Sequence, residues 1–464
     1  MTTPYCSPGL ANPRRERCYH EAMRTYLGAA LGLTFLGAAI GACGKSYDAT
    51  PTGVKCTPGN YVFCRCEDRS EGTKLCRPDG TSFDECKCDG TGGPITEDPD
   101  AGLGTDPLVP VDAGPVTGPT IDPKCAGKLG VVAGSANDLD AYVAAYNADG
   151  SFAVSKSHGP ALRGPATVLP VGTTLVATWL SQYSLIAWSK LSAGAWSAPV
   201  SVGSAFSSGP TTATNLNGQL RLFYLGTDSS FHMGTYTATG WDDATALAEP
   251  AGDAGAPIPG KSPPAVAAVG SSITLAFTGS DGTLARENFA SGTWSSITKF
   301  SSNDAFGAAP ALVALDPGGT RDELMVYTGK DLLLHVAARV ATNKAWNAAI
   351  LFDTAASSTE LALQALPGGK ALLVYKASNS LGYYAVWDAN TGFGPPTELL
   401  PGKNQELASV PSITRGQCGS DATIAYAQKD GLVKILRYTA GTLSGPYDVG
   451  GLTKATYVGV GELP

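Results

Sequence analysis

Two sets of side chains in this 464-residue chain are typed and spaced for chemistry: a cysteine cluster near the N-terminus, and a thin scatter of histidine, arginine and aromatic residues along a repetitive remainder. The cysteines run C-x7-C-x-C-x9-C-x9-C-x-C through Cys56, Cys64, Cys66, Cys76, Cys86 and Cys88, six in 33 residues. Two chemistries compete for such a set. Thiolates in C-x2-4-C pairs ligate zinc in a reducing compartment, whereas an even, dense set in an oxidising one forms disulfides. The pairs here are C-x-C and follow an export signal, so the reading is a disulfide framework of open connectivity. So short a segment cannot bury enough apolar surface to hold itself; three bridges at roughly 2–4 kcal/mol each supply what its core lacks. Beyond this cluster only His158, His232 and His335 occur, at what read as unrelated positions, and no G-x-S-x-G, H-E-x-x-H or phosphate-binding loop is present. No residue is assigned a catalytic role, and no cofactor or metal is expected. A hydrolase would have to use scattered carboxylates such as Asp322, Glu323 and Glu287.

The export signal spans residues 23–43, with Arg24 as a short positive region and residues 27–40 as an apolar run too short for a comfortable membrane span. Its end, Ile40-Gly41-Ala42-Cys43, resembles the lipobox of bacterial lipoproteins. That resemblance implies lipidation of Cys43 and anchoring to a Gram-negative cell envelope, with the membrane touched only through the lipid. Residues 1–22 fit no signal pattern, so translation is read as starting at Met23, which leaves Cys6 and Cys18 out of the mature protein. The expected organisation is a signal region (1–42), a short tether (43–55), the cysteine-rich module (56–88), a linker (89–124) and one large domain (125–464). The module is similar to the short cysteine-rich leaders of myxobacterial lipoproteins, a likeness that implies no activity.

The linker holds seven Pro, seven Gly and seven acidic residues against one base, Lys124. Such a stretch builds no core and is extended by its prolines and like charges, on the order of 100 Å if polyproline-like. Net charge is -8, and the first 42 residues carry four Arg against two Glu, so the rest is more acidic still, at -10. An acidic chain with no Lys/Arg run makes a poor partner for nucleic acid or anionic lipid.

What positions the scattered side chains is a repeat. A small residue and Pro, an apolar strand, a turn, a second strand, a D-G-like turn, a third strand and an aromatic recur six times. The clearest copies run Pro165 to Trp196 and Pro210 to Trp241, both spaced 31, Pro264 to Trp294 at 30 and Pro310 to Trp346 at 36, with Phe393 and Tyr447 in the aromatic slot of two looser ones. With Gly at 57, Pro at 32 and charged residues at only 16%, the pattern is that of an all-β propeller of six or seven four-stranded blades, seven favoured. Each second and third strand is expected to meet in a two-residue hairpin at Asp149-Gly150, Ser181-Gln182, Asp228-Ser229, Asp281-Gly282, Lys330-Asp331, Ser378-Asn379 or Asp430-Gly431. Residues 129–158 read as a seventh blade lacking its outer strand, which 455–462 could complete. Cys125 and Cys418 are expected to bridge the domain's entrance to its last blade. The recurring Trp196, Trp241, Trp294 and Trp346 are expected to pack between blades.

The stretch Leu222-Phe-Tyr-Leu-Gly-Thr-Asp-Ser-Ser-Phe-His-Met-Gly-Thr-Tyr236 followed by Trp241, echoed by Ala276-Phe-Thr-Gly-Ser-Asp-Gly-Thr-Leu284, resembles the blade repeat of bacterial fucose-binding propeller lectins and their sialidase-like relatives. The likeness covers about 290 residues and implies carbohydrate recognition between blades. By that resemblance His232 and Arg286 share the register of ligand-binding groups, and Trp188, Tyr383 and Tyr384 are the aromatics that would stack on a sugar. The S-x-D-x-G-x-T-W box of sialidases is missing. The sequence thus implies an exported, lipid-anchored carbohydrate-binding propeller; the alternatives are a protein-interaction scaffold for an envelope or extracellular partner and, third, a sialidase-like glycoside hydrolase.

Overall fold

The computed structural model describes residues 121–464, apart from 135–139, 159, 243–244, 248–259, 301–307, 317–318, 348–349, 357–360, 404 and 453, together with 61–65, 71–75, 77, 82–84 and 108–111. Two compact units are present, residues 1–93 and 94–464. In the first, Tyr61–Arg65 pairs antiparallel with Glu71–Leu75, which places Cys64 on a strand, and Arg77 Nε meets Asp84 at 2.9 Å. The proposed lipidation site Cys43 and Cys56, Cys66, Cys76, Cys86 and Cys88 lie outside the described residues.

The second unit is a seven-bladed β-propeller. Second strands are apolar on both sides and wholly interior, as in Ala422–Ala427 and in Thr174–Leu180, where only Thr174 is partly exposed. Valine, isoleucine, tyrosine and threonine suit that environment, because each blade is covered on both faces by its neighbours. Innermost strands are short and rich in small residues, such as Ala265–Val269 and Ala311–Ala314, since seven of them converge on one axis. They touch in succession around the ring and enclose a channel of about 580 Å³. In blade 3 the order from the axis is Ala265–Val269, Ser272–Thr278, Leu284–Ala290, then the short outer pieces Thr293–Trp294 and Thr298–Lys299, as the repeat predicts.

Blade 7 corrects the expectation. Tyr457–Glu462 pairs with Leu129–Gly134 and becomes the innermost strand, touching blades 6 and 1, rather than the outer one. Asp140–Tyr146 and Phe152–His158 then take the third and fourth positions, and Val109–Val111, from the stretch read as linker, adds a fifth strand along Phe152–His158. The shift has a consequence for the Asp149-Gly150 turn. It joins the third strand to the fourth, and since strands alternate in direction it lies on the face opposite the six other D-G-like turns.

Those six turns are three-residue loops, not two-residue ones. In blade 2 the N–H of Gly226 donates to Ser230 O, the N–H of Ser229 donates to Gly226 O, and Ser229 sits at φ 65°. This is a type I turn closed by a left-handed residue. The Asp side chain stabilises it from within, accepting from the N–H two residues on, as Asp228 does from Ser230 at 3.0 Å and Asp281 from Thr283 at 2.9 Å.

Cys125 and Cys418 stand with Cα atoms 5.5 Å apart and their sulfurs facing. Beside them the fully interior Glu462 accepts from Arg437 Nη1 at 3.1 Å, Thr423 Oγ1 at 2.9 Å and the Cys418 N–H at 3.0 Å. Among the described residues, only Cys125, Cys418 and Glu462 bring three metal-ligating atoms together, and the Arg437 guanidinium, 3.5 Å from Cys125 Sγ, already supplies the positive charge there. Peptide mapping under non-reducing conditions is expected to recover Cys125 and Cys418 as one linked pair, and Cys418→Ser to cost about 2–5 kcal/mol of stability. Recovery of both as free thiols would refute the bond.

Candidate functional site

Every groove between blades has two walls: the rear face of one blade and the front face of the next. Strand pairing sorts the five sequence-predicted binding residues between them. Tyr224 pairs with His232, Tyr327 with His335 and Tyr375 with Tyr383, so His232, His335 and Tyr383 are equivalent and lie on front faces. Arg286 pairs with Ala276, one residue out of that register; its equivalents are Trp188, Met233 and Tyr384, on rear faces. The expected shared register of His232 and Arg286 is therefore wrong, because a one-residue offset sends a strand side chain to the other face. His232 and His335, read as unrelated, occupy the same place in blades 2 and 4.

The rear-face residues are engaged in packing. Trp188 meets Tyr236 edge-on at 5.6 Å, and Tyr236 meets Trp241 at 5.3 Å. Arg286 lies against Phe300 and Trp346, 5.8 and 6.0 Å from the ring centroids. Tyr384 approaches Tyr438 at 6.2 Å beside a groove of about 380 Å³. Trp196, the most buried of the recurring tryptophans, sends its Nε1–H to Ala144 O at 2.9 Å, in blade 7.

The front-face set is organised differently. In blade 2 the His232 ring stacks on Tyr224, with centroids 5.0 Å apart and planes 8° from parallel, and His232 Nε2 lies 3.1 Å from Asp228 Oδ1. Blade 4 repeats this with His335 on Tyr327 at 5.3 Å and Nε2 3.1 Å from Asp331 Oδ2. Blade 5 substitutes Tyr383 on Tyr375 at 5.8 Å, its hydroxyl accepting from Asn379 Nδ2 at 3.0 Å. Gly226 and Gly329 permit the arrangement, since a side-chain carbon at either would collide with the imidazole. The sequence signal is Gly-x-Asp-x3-His at 226–232 and 329–335, which reading blade by blade from the strands missed. Tyr224, Asp228 and Phe206 were likewise missed.

The blade 1/2 groove combines this set with a cleft, of about 290 Å³, lined by Phe206, Ser204 and Val202 of blade 1 and by Tyr224, Asp228 and His232 of blade 2. Burial pushes the Asp228 carboxyl up, but the Ser230 N–H and then His232 more than offset it, so it stays ionised well below neutral pH. Burial raises the Tyr224 hydroxyl to about 12 and keeps it a neutral donor. His232 Nδ1 is buried without a hydrogen-bond partner among the described residues. The cleft thus offers a fixed carboxylate, an imidazole, a phenol and an aromatic wall, with no lysine or arginine in its lining.

The carboxylates a hydrolase would need are elsewhere. Asp322 and Glu323 are buried against Arg339, and Glu287 is fully interior. Among the described residues the axial channel is lined by no carboxylate; its one charged lining residue, Arg415, meets Asp316 at 3.3 Å.

No family model and no curated protein matches the chain. Solved structures share its fold. The BP39L lectin from Burkholderia pseudomallei superposes with a TM-score of 0.52 at 16% identity, over 70% of this chain and 99% of that one. The fucose-specific lectin from Aleuria aurantia reaches 0.43 at 13% identity, over 62% and 95%. A Bacteroides uniformis protein assigned as a 6-phosphogluconolactonase reaches 0.47 at 13%, over 72% and 99%. The likeness to the BP39L lectin shows a propeller and nothing finer.

Proposed function

We propose that this chain is a carbohydrate-binding protein that recognises sugar hydroxyls in the cleft between blades 1 and 2, without chemistry. The observation that carries this reading is the Asp228–His232–Tyr224 set opening beside the exposed face of Phe206. A carboxylate held in place by the imidazole takes sugar hydroxyls, and an aromatic wall takes the apolar face of a pyranose. That the BP39L lectin has the same fold supports it. In this proposal the propeller is exported and anchored by a lipid on Cys43, carried on a disulfide-stapled module (56–88) and held off the membrane by what remains of the spacer before Val109.

A second reading, a protein-interaction platform, draws support from an apolar groove of about 390 Å³ between blades 4 and 5, where Ile350 and Leu351 are 61% and 48% exposed. A glycan-array screen of the full chain decides between them. Binding is expected, and His232→Ala and Asp228→Asn are each expected to weaken it at least about ten-fold, the worth of a hydrogen bond to a charged or tightly held group. Absence of binding to every glycan at high protein concentration sinks the lectin reading and leaves the platform.

A further inference from the structure

Among the described residues only two aromatic side chains are exposed, Tyr183 at 56% and Phe206 at 45%. They are neighbours. Phe206 pairs with Leu185, and the N–H of Ser207 donates to Ser184 O at 2.7 Å, so the backbone beside one aromatic is bonded to the backbone beside the other. Both sit on the face that carries the second-to-third-strand turns, at the rim of blade 1, and Phe206 also forms the wall of the His232 cleft. Among the described residues the turns of the opposite face expose no aromatic side chain, and several are closed by glycines at positive φ, such as Gly172, Gly194, Gly218, Gly270, Gly292 and Gly441.

Leaving two large rings in water is a cost that folding does not require here, since the other aromatics of the domain pack inside or between blades. Their adjacency to a hydroxyl-binding cleft gives them a use. A pyranose chain advances by about one ring per aromatic width, so a ligand seated at Asp228 and His232 that continues across the rim passes over Phe206 and then Tyr183, each offering a flat apolar face. Because Asp228 is the one carboxylate lining the cleft and no Lys or Arg accompanies it, an anionic chain is disfavoured; a uronate or sialate would meet a like charge.

Resting on the carbohydrate reading above, we infer that the binding surface is an extended one, running from the blade 1/2 cleft over Phe206 to Tyr183, and that its ligand is a neutral oligosaccharide chain rather than a single terminal sugar.

The test is titration of the full chain with neutral cello-, malto- and manno-oligosaccharides of one to six residues, comparing the parent with Tyr183→Ala, Phe206→Ala and Asp228→Asn. The parent is expected to bind the tetramer of at least one series about ten-fold or more tightly than its monomer. Tyr183→Ala, on the exposed rim, is expected to keep the parent's melting curve and its monomer affinity and to lose several-fold in tetramer affinity, each stacking ring being worth about 0.5–1.5 kcal/mol. Phe206→Ala is expected to weaken every length and the longer ones most, and Asp228→Asn to weaken all lengths equally. Affinity that is flat with chain length, or a tetramer affinity unchanged in Tyr183→Ala, overturns the extended surface while leaving a lectin. Failure of every sugar at every length overturns the extended surface, and the lectin reading then falls only with absence of binding across the glycan array.

Discussion

Deleting residues 457–464 is expected to unfold the propeller, read as loss of the cooperative melting transition or a drop in its midpoint of more than about 10 °C. The eight residues include the whole innermost strand of blade 7, and their removal takes away three kinds of stabilisation together. Val458, Val460 and Leu463 are at most 7% exposed, and burying an aliphatic side chain is worth about 1.5–3 kcal/mol. The six-residue ladder to Leu129–Gly134 is lost, which leaves that strand's inner edge unpaired. Arg437 is left buried without Glu462, and breaking a buried pair costs about 3–5 kcal/mol. The combined loss reaches the 5–15 kcal/mol that a domain has in total. Adding a peptide of residues 457–464 in trans is expected to restore part of the transition, since the groove it occupies is formed by blades 6, 7 and 1. A truncated chain that melts within a few degrees of the parent would mean that six blades close without it.

Arg339→Met is expected to destabilise the protein by about 3–5 kcal/mol at pH 8, and by distinctly less at pH 5. Arg339 is shared by two carboxylates: Nε lies 2.8 Å from Asp322 Oδ1 and Nη1 lies 3.0 Å from Glu323 Oε2. Asp322 keeps Lys344 at 2.5 Å when Arg339 is removed. Glu323 keeps the Thr274 hydroxyl, at 2.6 Å, and the weaker pull of the Arg286 charge. Burial already pushes the Glu323 carboxyl from the ordinary 4.5 to about 7, against the pull of Arg339 and Thr274. A carboxyl raised on folding binds its proton more tightly in the native state, so its contribution is complete below about pH 4.5 and is lost as pH rises through 7. Without Arg339 that rise is larger, and the loss at alkaline pH larger with it, whereas at pH 5 the protonated acid needs no counter-charge. In Glu323→Gln the pH dependence between 5 and 8 is expected to flatten. Equal destabilisation by Arg339→Met at both pH values, measured by urea unfolding, would show that Glu323 is ionised throughout and that the raised value is wrong.

The repeat was legible because it is written in local terms. Pro, a small inner strand, a turn with Asp and an aromatic recur at nearly constant spacing, and each device acts on its immediate neighbours: Asp281 on the Thr283 N–H, Trp196 on the adjoining blade. Blade 7 was misassembled from sequence because its strands come from three places, 109–111, 129–158 and 457–462, and a strand's sequence does not state whether it lies at the axis or the rim. Two valines alternating with glycines in Tyr457–Glu462 suit either. The cleft was half legible. His232 is named from sequence, but Arg286 is set in its register there, and the strand pairing puts the two one residue apart.

What the amino-acid sequence determined by itself is what is carried by period and by hairpin chemistry: the propeller and the blade positions of six aromatic-led repeats. Those signals act between residues a few positions apart and survive without a partner in space. Tertiary structure alone decided which walls face each other. Phe206 and His232 belong to different blades 26 positions apart, and their cleft exists only because the two blades are packed side by side. The same closure puts Glu462 beside Arg437 and Cys418. A side chain's period tells which face of its strand it is on; only the ring tells what that face meets.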